Sequence, residues 1–118
     1  MQMHSRDVGG VAVVDLIGRL IGSDNAGALS DRVSRLVADG HTHVVLNLSQ
    51  LNYMDSSGLG EMVSCYSRVR KAGGAIRLAG TTARIHDLLA ITRLVTVFEC
   101  YDTEDLAIAS FVNAPAAV

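Results

Sequence analysis

Val44-Val45-Leu46-Asn47-Leu48, with Tyr53-Met54-Asp55-Ser56-Ser57-Gly58-Leu59-Gly60 close behind it, decides the class of fold. The first run is short and almost continuously apolar, as a strand buried on both faces must be. The second carries hydroxyls and glycines and opens a helix. From about Ser57 to Ala72 the residues Leu59, Met62, Val63, Tyr66 and Val69 recur at helical spacing. Arg68, Arg70 and Lys71 fall towards its end, where positive charge suits the helix dipole, and Gly73-Gly74 stops it. A buried strand feeding an amphipathic helix is half of a β-α-β crossover, and crossovers require parallel strands.

Outward from this unit the same alternation continues. Residues 75–79 read as a strand, and Thr81 or Thr82 caps a third helix carrying Ile85, Leu88, Leu89 and Ile91. Residues 95–100 hold a last strand, and Thr103 with Glu104 and Asp105 opens a terminal helix to about Val112. The tail, about 113–118, is expected to fray. On the other side, Leu29, Val33, Leu36 and Val37 mark a helix over 26–39, with Asp31, Arg32 and Arg35 opposite and Gly40 ending it. The polar loop Gly22-Ser23-Asp24-Asn25 supplies its caps. Before it, the β-branched run 11–17 ends at Gly18 and pairs through Gly9-Gly10 with a strand over 1–7. The order β-β-α-β-α-β-α-β-α predicts one α/β domain over residues 1–118: a mixed, mostly parallel sheet packed with about four α-helices.

Composition narrows the function. The chain has 118 residues, 49% hydrophobic and 19% charged, which excludes disorder and allows a real core. A formal charge of −2 lacks the footprint of a nucleic-acid or anionic-membrane binder, and 4% aromatics without Trp argue against a base-stacking platform. Cys65 and Cys100 lack metal or redox spacing and read as free thiols, Cys65 as packing, in a reducing compartment. No apolar run approaches the ~18 residues of a membrane helix, so a cytoplasmic location is expected. His41 and His43 share a strand face without an apparent third ligand, and His86-Asp87 reads as a solvated face. No metal or cofactor is expected.

The stretch from Asp55 to Gly60 sits where α/β proteins tend to place function. Asp55, Ser56 or Ser57 as a plain N-cap is one reading. A phosphate-binding loop is weak without the P-loop Lys, and a nucleophilic serine is weak without a G-x-S-x-G elbow. On spacing alone the segment is a hydroxyl-bearing recognition loop.

The sequence 46–60, LNLSQLNYMDSSGLG, resembles the signature of the anti-sigma factor antagonists, which are single STAS domains. Gly18-Arg19-Leu20, Gly73-Gly74 and the run from Ala83 to Leu89 fall in the same family order. The resemblance implies a binding protein, not an enzyme, with Ser56 as phosphoacceptor. Its implied partners are an anti-sigma factor with serine kinase activity and a PP2C-type phosphatase. The unphosphorylated form binds the anti-sigma factor and frees the sigma factor; phosphorylation ends that binding. Gly22, Ser23, Asp24, Asn25, Met54, Asp55, Ser56, Ser57, Gly58 and Leu59 are the expected partner-binding residues. No nucleic acid or direct membrane contact is expected, and a weak homodimer is. The family often has an acidic residue where this chain has Ile21, which bears on partner choice. The alternatives are a STAS subunit of a stressosome or lipid-transport complex, and a small-nucleotide-binding domain on the Asp55 to Gly60 loop.

Overall fold

A computed structural model describes residues 1–22 and 27–112. Strands β1 (Gln2–Val8), β2 (Val11–Leu20), β3 (His43–Met54), β4 (Ala75–Ala79) and β5 (Glu99–Tyr101) form one sheet in the order β1-β2-β3-β4-β5. β1 runs antiparallel to β2, and every other neighbouring pair is parallel. Helices α1 (Ala28–Ala38), α2 (Ser56–Lys71), α3 (Ala83–Ile91) and α4 (Glu104–Val112) alternate with the strands after the hairpin. The mixed α/β architecture expected from the sequence is the observed one.

Two apolar layers flank the sheet. The larger joins Leu16, Leu20, Leu46, Leu48 and Leu78 of the strands to Leu29 and Val33 of α1, Met62 and Val69 of α2, and Ile85 and Leu89 of α3. The smaller joins Val11, Val13, Val45 and Ala79 to Ala107 of α4. Burial on both faces explains why β3 begins as the unbroken run Val44-Val45-Leu46.

Several boundaries differ from the sequence-based expectation. β2 does not stop at Gly18: that residue takes φ +104, the register with β3 shifts there, and pairing resumes as Arg19 with Tyr53 and Leu20 with Met54. A bulge lets a strand continue where a glycine suggests an end. β3 likewise runs on to Met54 instead of ending near Leu48. The expected strand over 95–100 starts inside a 3₁₀ turn, Leu94–Thr96, entered through Arg93 in the left-handed region (φ 62), and only Glu99–Tyr101 pairs with β4. Ile91, placed on the apolar stripe of α3, is 80% exposed, because the chain leaves the helix there. The long β2–β3 pairing has one consequence for function. It ends both strands side by side, so residues 21–22 and Asp55 leave the sheet at the same edge.

Candidate functional site

At that edge one carboxylate organises two segments. Asp55 is the N-cap of α2 in extended backbone, and its Oδ1 accepts from the Gly58 N–H at 2.7 Å. The Asp55 N–H donates to the Leu20 carbonyl at 3.2 Å, which extends the β2–β3 ladder into the helix start. Gly22 N–H donates to the same carboxylate, 3.3 Å from Oδ1 and 3.4 Å from Oδ2. Two glycines make this approach possible. A Cβ at Gly58 would run into the Leu20 carbonyl, and one at Gly22 would run into the Ser57 side chain. The cap is therefore Asp55, and Ser57 does not turn back on the helix to serve as one.

Ser56 is the first residue of α2, and both it and Ser57 are exposed. Neither hydroxyl makes a hydrogen bond among the described residues. The arrangement offers an exposed hydroxyl at a helix N-terminus, whose dipole and free amides favour an anion attached there. Met54, Gly58 and Leu59 are buried beneath it and Gly22 is half-buried. They frame the exposed serines from below. Ser23, Asp24 and Asn25 lie outside the described residues, and Ile21 is half-buried.

The remaining polar candidates stand apart from this site. His43 stacks on Phe111 of α4 with ring centres 4.6 Å apart, and His86 and Asp87 are exposed on α3. Cys65 is a buried free thiol whose pKa burial pushes up to about 12, and burial also raises that of Cys100. Among the described residues no group of three or more His, Cys, Asp or Glu is placed to hold a metal, and no helix is long and apolar enough to cross a membrane. Two polar features escaped the sequence analysis. Glu61 Oε1 accepts from the backbone N–H groups of Leu29 (2.7 Å) and Ser30 (3.1 Å) at the start of α1. Arg6 joins Asp15 and Glu104, the latter also accepting from Asn47 Nδ2 at 3.1 Å. No sequence spacing signals either, since the partners are distant in the chain.

Comparison with known proteins adds to the geometry. A family model described as a STAS domain matches residues 2–107. The anti-sigma F factor antagonist of Paenibacillus polymyxa is 36% identical over 62 residues, so the match spans 52% of this chain and 53% of that relative, about half its length. Among solved structures, an anti-sigma factor antagonist from Mycobacterium paratuberculosis has a TM-score of 0.84 at 26% identity, covering 95% of this chain and 94% of that one. The Bacillus cell fate determinant SpoIIAA, solved in its phosphorylated form, shares the fold with a TM-score of 0.72 at 20% identity, covering 93% and 99%.

Proposed function

This chain belongs to the STAS domain family, and on that premise we propose that it is an anti-sigma factor antagonist switched by phosphorylation of Ser56. Unmodified, it binds an anti-sigma factor that is also a serine kinase and so releases a sigma factor; phosphorylated, it does not, until a PP2C-type phosphatase restores the serine. The observation that carries this reading is the division of labour at α2. Asp55 caps the helix, leaving the Ser56 hydroxyl exposed at the helix N-terminus and without a hydrogen bond among the described residues. A similar fold solved in a phosphorylated form supports the same direction.

Phosphate brings about −1.5 to −2 charges and three acceptor oxygens. The dipole of α2 offsets part of that charge, so the chain keeps its fold while its surface changes. A partner packed on Ser56 would have to desolvate a dianion, and binding is lost. In this proposal the contact is made by Gly22 to Asn25, Asp55, Ser56 and Ser57, with Met54, Gly58 and Leu59 holding them from the core.

The test is incubation with a candidate anti-sigma factor serine kinase and Mg-ATP, followed by phosphopeptide mapping and calorimetry. Modification of Ser56 with loss of kinase binding is the expected result. Modification of Ser57 alone, or equal affinity of both forms, overturns the switch.

A further inference from the structure

We propose that Glu61 is a positioning residue for recognition at Ser56: it fixes the start of α1 against the phosphoacceptor helix, and so shapes the surface a partner meets. The inference rests on the reading of Ser56 given above. The first turn of a helix leaves amides without intrahelical partners, and a residue just before it normally satisfies one. Here the N-cap position of α1 is Gly27 in left-handed backbone (φ 77), which has no side chain to offer. The acceptor comes from another helix. Leu29 N–H and Ser30 N–H both point to Glu61 Oε1, at 2.7 and 3.1 Å, in a half-buried setting. A carboxylate suits that position twice over, as a charged acceptor and as a negative charge at a helix N-terminus.

The placement of Glu61 on α2 links this cap to the site. Glu61 is one helical turn beyond Ser57, on the same face, and Ser57 is the residue against which Gly22 packs. Further along that side, Arg68 Nη1 donates to Ser34 Oγ at 2.6 Å. The chain thus leaves β2 held by Asp55 at Gly22 and enters α1 held by Glu61 at Leu29 and Ser30. Both anchors are carboxylates on or beside the first two turns of the helix that begins with Ser56. In this proposal the second anchor sets the orientation in which the exposed Gly27 and Asp31, at the start of α1, are presented beside the helix that carries Ser56.

Three variants test this, each measured for amide hydrogen exchange at Leu29 and Ser30 and, by calorimetry, for affinity to the candidate anti-sigma factor kinase that binds the wild-type protein. Glu61→Ala should speed exchange at those two amides and weaken binding of the unphosphorylated protein, each by about five- to tenfold, the equilibrium counterpart of a lost cap. Glu61→Gln keeps an acceptor and should recover most of both. Arg68→Ala cuts the tie farther along the helix pair and should leave affinity close to wild type. Unchanged exchange in Glu61→Ala overturns the inference, as does faster exchange with wild-type affinity, or an equal loss in Arg68→Ala. Failure of the wild-type protein to bind the kinase or accept phosphate is a different result: it removes the Ser56 reading and the inference together.

Discussion

The two faces of the sheet are built on different principles. The face covered by α1, α2 and α3 is a layer of large aliphatic side chains, with Leu16, Leu20, Leu46, Leu48, Met62 and Leu89 fully buried. The face under α4 is made of Val11, Val13, Val45 and Ala79, and among its described side chains the helix contributes one that is fully buried, Ala107. What α4 lacks in apolar area it supplies in directed contacts. Glu104 at its start meets Arg6, whose Nη1 is 3.2 Å from Oε2. Near its other end Phe111 lies between His43 and the Arg77 guanidinium, 4.0 Å from the ring centre. A deep apolar layer holds one face; a thinner apolar layer supplemented by oriented contacts holds the other. The first should respond to lost volume, and the second to lost charge and to pH.

The largest effect is therefore expected deep in the first layer. Leu46→Ala removes a fully buried side chain and should cost about 2–5 kcal/mol of global stability, read from urea denaturation with an unchanged slope. Phe111→Ala is the matching change on the other face. Its ring is half-buried, so the expected loss is about 1–2 kcal/mol. Amide exchange in α4 should accelerate more than in α2. If Phe111→Ala destabilises as much as Leu46→Ala, the contrast between the faces is broken.

The apolar faces were legible in the sequence because period alone reports them: Leu29 and Val33, then Leu59, Met62 and Val69, are where helical spacing puts them. The ends of elements were less so. Gly18 reads as a stop but forms a bulge, and Phe98 reads as strand but is buried from a turn. Of the site, Asp55, Ser56 and Ser57 stood out from their types and position. Which side chain caps which helix did not. Glu61 reaches amides about thirty residues back, and Arg6 meets a carboxylate 98 residues on; only the folded chain brings them together.

A smaller effect isolates the polar latch of α4. Hydrogen bonding from Arg6, helped by Asn47, holds the Glu104 carboxyl below its ordinary value. A lowered folded pKa means that the ionised state stabilises the fold above the usual Glu value of about 4.3, and that this contribution fades as pH falls through the folded value. Arg6 is 42% exposed on its side chain, so screening limits the gain, and Glu104→Gln should cost only up to ~1 kcal/mol at neutral pH. The variant should narrow its gap to wild type below about pH 4 and in high salt. A gap independent of both would show that α4 is held by its apolar layer alone, making the two faces alike.

The smallest effect on stability is expected at Ser56, although it carries the proposed function. Ser56 begins α2, the helix whose other residues build the deep layer, yet its own side chain is exposed and makes no hydrogen bond among the described residues. Asp55 already caps the helix, so Ser56→Ala removes no cap. Ser56→Asp adds one negative charge where the dipole favours it, offset by the neighbouring Asp55 carboxylate. The two terms oppose each other, and the net change should stay within ~0.5 kcal/mol. Kinase affinity should behave differently: Ser56→Ala retains it, and Ser56→Asp weakens it less than phosphate does, having one charge and fewer acceptor oxygens. Thermal denaturation beside calorimetry separates the two quantities. A Ser56→Asp protein that unfolds would make this serine part of the deep layer's structure, and a surface switch would then have no place to act.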